Sequence, residues 1–316
     1  MKSMKGLELS RLYYDTYGKP MLEEFFSEVL PYIAVGLTGA GSECFGFDDE
    51  ISQDHDFEPG FCVFLPDEAH VDRRTAFRLE RAYAKLPKEF MGVKRGLLQP
   101  VGGARRGVIR AADYFEEKVM TRDGRLTLEQ WLSLPDYALA EATNGQLFYD
   151  GAGEVSEIRR RLSERPEDIR KKKLAGCLLL MGQCGQYNYD RCIRHGETGA
   201  AQLAVIEFVE RTMETVFLLN RVYAPFYKWR FRAMRSLRRL SLLAEIMEYL
   251  LTTENGKEMA KEKQAVMESV ASDIIRELKN QGLSKANCSD LEKHAYSVQD
   301  GITDESIRNM HILAAA

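Results

Sequence analysis

The spacing of hydrophobic residues along the chain changes near residue 120. Before it, short apolar runs alternate with glycine, proline and aspartate, which is typical of strands joined by loops. The pattern predicts helices at 8–30, divided at Pro20, and at 75–86, and strands at 33–38, 54–58, 61–65 and 107–112. We therefore expect this part of the chain to form a small α/β unit around one sheet.

After residue 120, apolar residues recur at every third and fourth position, which indicates amphipathic helices. The expected helices span residues 128–142, 154–162, 166–185, 200–223, 225–251 and 257–281. Such helices pack as a bundle, and we expect the tail, residues 288–316, to pack against it. The predicted fold class is α+β, with a small mixed-sheet domain over residues 1–120 and a helical-bundle domain over residues 121–316.

The composition narrows the class of protein. The chain has 316 residues, of which 45% are hydrophobic and 29% charged, a balance typical of globular proteins and not of disordered, fibrous or membrane proteins. No apolar run approaches the roughly 20 residues that span a bilayer, and the first residues lack the apolar core of a secretory signal. The six cysteines form no CxxC pair, which predicts reduced thiols in a cytoplasmic protein. The short apolar runs predict that the protein has no membrane partner.

One stretch, residues 35–65, carries the candidate chemistry. An apolar run ends at Gly41-Ser42, eleven acidic and polar residues follow, and Asp54-His55-Asp56 precedes the next apolar run. Positions i and i+2 of a strand face the same side, so Asp54 and Asp56 would project together, and a divalent cation such as Mg²⁺ would relieve their repulsion. The Gly-Ser turn offers N–H groups and a hydroxyl to a phosphate. The alternative is a hairpin with solvated carboxylates.

This combination resembles the signature of the polymerase-beta-like nucleotidyltransferase superfamily, in which an apolar strand, Gly-Ser, a spacer of about ten residues and Asp-x-Asp follow one another. The Asp-His-Asp form is similar to that of small antibiotic nucleotidyltransferases. The segments 131–135, 143–150, 195–197 and 218–229 are similar to an uncharacterised bacterial branch of that superfamily, known only as a domain of unknown function.

The resemblance implies an enzyme that transfers a nucleoside monophosphate from a nucleoside triphosphate, most simply ATP, to a small hydroxylated acceptor. It implies that Asp54 and Asp56 bind Mg²⁺ or Mn²⁺ and that Gly41 and Ser42 hold the triphosphate. Lys228 would also reach the triphosphate. The helical domain would shape the acceptor side of the cleft, with Glu197 as the general base.

Several alternatives stay open at this point. Asp113 is the candidate for the superfamily's third carboxylate, but it could equally well begin a helix. Because a clear third carboxylate is missing, the alternative to an enzyme is a nucleotide-binding or regulatory protein on the same fold. Glu197 would otherwise be an acid that complements a helix N-terminus. Three interpretations of the basic run 228–239 stay open: it contacts the triphosphate, it binds RNA, or it forms an ion-paired helix face. A transferase that acts on RNA or on protein is a further alternative, and the net charge of −4 argues against a protein that coats nucleic acid non-specifically, so RNA is not the favoured acceptor.

Overall fold

The computed structural model describes residues 4–51, 57–95 and 106–315. The chain divides into two compact units. The first contains Met1–Gln130 and Leu134–Glu164, and the second contains Trp131–Ser133 and Arg165–Ala316. A mixed sheet with flanking helices in one unit and helices in the other confirm the α+β class as far as the architecture goes.

A four-stranded mixed sheet forms the centre of the first unit. Its described strands are β1 Ala34–Leu37, β2 Cys62–Leu65, β5 Gly107–Arg110 and β6 Gln146–Asp150, and a separate small ribbon pairs β3 Glu89–Phe90 with β4 Val93–Lys94. The order across the main sheet is β5-β2-β1-β6. β1 runs antiparallel to both β2 and β6, whereas β2 and β5 are parallel.

The described helices of the first unit are α1 Gly6–Tyr13, α2 Lys19–Phe25, α3 Arg73–Ala84, α4 Ala111–Val119, α6 Asp136–Thr143 and α7 Glu154–Ser163. A further helix, α5 Leu128–Ser133, begins in the first unit and ends with residues assigned to the second. A π-helical turn joins α1 to α2 without a break, and Pro20 lies in the first turn of α2, where proline is tolerated. In the core of the first unit, Phe61 packs edge-on against Tyr83 and at a tilt against Tyr13.

Three features of the first unit differ from the predicted elements. The strand predicted at 54–58 is wrong for its described residues, because Phe57 and Glu58 precede β2 in an irregular segment before Pro59; proline cannot donate to a ladder. The helix predicted at 128–142 is two helices that end and restart around Pro135. β6 was not predicted. Because β6 pairs with β1, the first unit continues beyond residue 120, where the sequence suggests a boundary.

The second unit is built from helices. They are α8 Glu167–Met181, α9 Tyr189–Arg194, α10 Thr198–Asn220, α11 Tyr227–Arg235, α12 Leu243–Thr252, α13 Lys257–Asn280, α14 Leu291–Asp300 and α15 Glu305–Asn309. A π-helical segment, Gly182–Asn188, links α8 to α9. In the described part of the chain, no helix combines the length and the apolar character needed to cross a bilayer.

The C-terminal tail packs on the second unit, as expected. Leu291, Ala295 and Val298 of α14 join the same buried cluster as the apolar residues of α8 and α10. The fully buried amine of Lys172 donates to Met310 O at 2.6 Å and so holds the end of the chain. Burial lowers the pKa of this lysine.

Candidate functional site

The strand pairing brings four chain segments to one end of the sheet, which we call the site end. Gly36 of β1 lies opposite Cys62 of β2, Cys62 lies opposite Gly107 of β5, and Leu37 lies opposite Gln146 of β6. The carboxyl end of β1 therefore lies beside the amino ends of the other three strands. The site end contains Thr38–Ser42 after β1 and the residues that lead into β2, β5 and β6.

Asn144 fixes the turn that follows β1. Its Oδ1 accepts hydrogen bonds from Gly39 N at 2.9 Å and from the Thr38 hydroxyl at 3.1 Å, and its Nδ2 donates to Gly39 O at 2.8 Å. Gly39 has a φ of +125°, a conformation open to glycine and strained for other residues. One side chain thus satisfies both backbone groups of Gly39 and holds the turn in a single conformation.

Arg159 supports Asn144 from α7. Its guanidinium donates to two backbone carbonyls, Thr143 O at 2.7 Å and Asn144 O. The neighbouring Arg160 and Arg161 pair with Glu157 on the surface of α7. Arg159 instead caps the peptide groups that position Asn144, and no local sequence pattern distinguishes it from its neighbours.

Gly41 and Ser42 begin a short 3₁₀ helix, Ser42–Phe45. Ser42 is half-buried. The first N–H groups of any helix lack an intrahelical acceptor. The turn therefore combines a fixed backbone with donors that can bind an anion such as phosphate.

Acidic residues that follow this turn in the sequence pair with basic side chains. Glu43 and Glu58 both pair with Arg106, at 3.2 and 3.3 Å. Buried Asp48 accepts from Gly6 N at 2.8 Å and pairs with Lys5 at 3.4 Å. Each of these three carboxylates is therefore held against a basic side chain of the first unit.

The two predicted metal ligands, Asp54 and Asp56, lie outside the described residues. Over residues 4–51, 57–95 and 106–315, no group of three or more histidine, cysteine, aspartate or glutamate side chains is placed to hold a metal ion. The described segment Phe57–Phe61 lies directly before β2, at the site end. The Tyr83 hydroxyl fixes this segment through both backbone groups of Phe61, at 2.8 and 3.1 Å. Burial raises the pKa of Tyr83 to about 12.

Asp113, the candidate third carboxylate, lies in the first turn of α4 and not on the sheet. Its side chain is 57% exposed and pairs with Arg122 at 2.8 Å. β5, the strand beside β2, has the sequence Gly-Val-Ile-Arg and carries no acidic side chain. The helix-start alternative is therefore the correct one for Asp113.

The remaining predicted site residues belong to the second unit. Glu197 is exposed at the N-terminal boundary of α10 and makes no side-chain capping bond there. Lys228 is exposed in the first turn of α11, with Nζ 5.2 Å from the Trp229 ring centroid. Arg235 pairs with Glu245 and Glu248, and Arg239 pairs with Glu277, each at 2.6 Å. For these two arginines the ion-paired face is the arrangement observed.

A family model described as a domain of unknown function (DUF4037) matches residues 131–230, less than a third of the chain. The matched region contains Asn144, Arg159, Glu197 and Lys228, and it begins well after the Gly41-Ser42 turn. No curated protein and no solved structure matches the chain.

Proposed function

We propose that this chain is a metal-dependent nucleotidyltransferase that moves a nucleoside monophosphate from a nucleoside triphosphate, ATP in the first instance, to a small hydroxylated acceptor. One observation carries the proposal. The Gly39–Ser42 turn is clamped by Asn144 at the end of the sheet where β2 begins, and Asp54 and Asp56 precede β2 in the sequence. The resemblance of the Gly-Ser and Asp-x-Asp spacing to the nucleotidyltransferase signature supports it.

Each predicted residue has a proposed part in the reaction. Gly41 and Ser42 bind the β- and γ-phosphates, and Asp54 and Asp56 hold Mg²⁺ or Mn²⁺, which neutralises charge at the phosphates when bound. The acceptor oxygen forms a bond to the α-phosphorus, the bond to the β-phosphate breaks, and pyrophosphate leaves. Glu197 is proposed to take the proton of the acceptor hydroxyl, and Lys228 to bind the triphosphate.

Calorimetric titration of each nucleoside triphosphate, with Mg²⁺ and with a chelator, tests the donor site. We expect binding of at least one triphosphate that depends on Mg²⁺, is lost in Asp54→Asn and Asp56→Asn, and is weakened roughly tenfold in Ser42→Ala, the loss of one charge-assisted hydrogen bond. Glu50→Gln is the matched control, because Glu50 is an exposed acid of the same loop. Binding that is equal in all variants would refute the assignment of these residues.

A second candidate is a nucleotide-binding or regulatory protein that does not transfer the nucleotide. The observation that favours it is the composition of β5, which has no carboxylate, together with the position of Asp113 on α4. The two candidates share the donor site and differ in turnover. Metal-dependent triphosphate binding without pyrophosphate release, across a panel of hydroxylated small molecules, proteins and RNA, would favour the second candidate. Pyrophosphate release that needs Asp54 would exclude it.

A further inference from the structure

Arg106 is a buried arginine that pairs with glutamates from two different segments of the first unit. Its guanidinium lies 3.2 Å from Glu43 Oε1 and 3.3 Å from Glu58 Oε1, and 3% of its side chain is exposed. A buried charge is stable only when opposite charges and hydrogen bonds replace the water that it loses. Moving either glutamate away from Arg106 therefore costs free energy, and the three side chains act as one cluster.

Two glycines make room for this cluster. A Cβ at Gly60 would lie 2.6 Å from Cδ of Arg106, and a Cβ at Gly41 would overlap the Glu43 carboxylate. The backbone of Gly41 is extended, with φ at −65°, so its conformation alone does not call for glycine. The requirement at Gly41 is therefore steric and comes from the cluster. Gly41 belongs both to the cluster and to the turn that is proposed to bind phosphate.

The cluster connects segments that carry the proposed ligand-binding residues. Glu43 directly follows Ser42, and Glu58 follows Asp56 by two positions. Arg106 precedes β5, whose parallel pairing with β2 brings Arg106 to the site end. Three parts of the chain that are distant in sequence are thus joined at one guanidinium.

We propose that Arg106 is a positioning residue, which fixes the Gly41-Ser42 turn relative to the segment that leads into β2. It acts through Glu43 and Glu58 and sets the spacing between the Gly41-Ser42 turn and residues 57–61. This inference rests on the proposed function. A planar guanidinium can bond to two carboxylates at once, whereas the single ammonium of a lysine keeps the charge without this fork.

Three variants test the proposal by calorimetry with Mg²⁺ and the triphosphate that the wild type binds. We expect Arg106→Gln to raise the Kd at least tenfold and Arg106→Lys to recover part of that loss. Arg110→Gln is the matched control, since Arg110 is at the other end of β5 and donates to the backbone carbonyls of Pro66 and Val71. It should lower the melting temperature and leave the Kd within twofold of wild type.

The outcomes separate positioning from general stability. A Kd within twofold of wild type in Arg106→Gln would overturn the proposal, and so would an equal loss of binding in Arg110→Gln. If Arg106→Gln does not fold, Glu58→Gln takes its place, because it removes one arm of the cluster, and the same thresholds apply.

Failure of the proposed function gives a different result. If the wild type binds no triphosphate, hydrogen exchange tests the link directly. Positioning by Arg106 predicts faster exchange at both 42–47 and 57–61 in Arg106→Gln and at neither in Arg110→Gln. Unchanged exchange at either segment in Arg106→Gln would overturn it.

Discussion

Asn144→Ala tests the clamp on the Gly39–Ser42 turn. The substitution removes three hydrogen bonds, from Gly39 N, from the Thr38 hydroxyl and to Gly39 O, and leaves the two backbone groups of Gly39 without their partner. Because Gly39, at a φ of +125°, has no Cβ and can adopt many other backbone conformations, the turn can change its conformation once these hydrogen bonds are lost. We expect local opening of the turn and not unfolding of the whole unit.

The size of the effect follows from the number of bonds and their exposure. A protein hydrogen bond contributes about 1 kcal/mol net, so three bonds contribute about 3 kcal/mol. Asn144 is only partly buried, and water will replace part of this, which leaves about 2 kcal/mol. Since 1.4 kcal/mol corresponds to a factor of ten, the opening equilibrium of the turn should increase roughly 30-fold.

Hydrogen exchange of the peptide covering residues 38–47 measures this opening. Gln146→Ala is the matched control, because Gln146 is an exposed amide two residues away on the same chain segment. Exchange in the control should match wild type. Exchange in Asn144→Ala that also matches wild type would refute the view that this side chain fixes the turn.

Two further predictions concern the packing beneath the site end. As the pH rises from 10 to 12, the free energy of unfolding measured in urea should fall less for Tyr83→Phe than for the wild type. Burial raises the pKa of the folded phenol to about 12, so the wild type loses up to about 3 kcal/mol as pH rises through this range, whereas phenylalanine has no proton to lose. Parallel stability curves for the two proteins would contradict this. Gly60→Ala should destabilise the first unit by about 1–3 kcal/mol, because its Cβ would meet Arg106 Cδ. Gly199→Ala, with no atom within 4 Å of its Cβ, is the control and should be neutral or slightly stabilising; equal unfolding midpoints for the two variants would refute the steric argument.

The sequence pattern predicted the helices and strands that nearby residues determine. β1, β2, β5 and α3 agree with the predicted spans within a few residues, because apolar runs bounded by glycine and proline define them. β6 was missed, since its residues follow a helical stretch and its stability comes from pairing with β1, more than 100 residues earlier. The dipeptide Asn144-Gly145 before Leu147, Phe148 and Tyr149 is the signal that indicates a turn into a strand.

The sequence predicted those parts of the candidate site that lie within a single chain segment. The Gly41-Ser42 turn and the order of Asp54 and Asp56 can be read directly from residues 35–65. Asn144 and Arg106 could not be read in this way, because each contacts the turn or the residue that follows it across a large gap in sequence. Strand pairing brings these two to the site end, and no spacing rule along the chain encodes it. Arg159 reaches the same region from α7.

Metal-dependent nucleotide binding at the Gly39–Ser42 turn is tested most directly by hydrogen exchange of the intact protein with ATP and Mg²⁺, compared with ATP and chelator. We expect slower exchange with Mg²⁺ at residues 39–47 and 143–146, the turn and the segment that holds it, and no change with chelator. Protection that is absent from these two segments, or that forms equally without Mg²⁺, would contradict the claim that the Gly39–Ser42 turn is a metal-dependent nucleotide site.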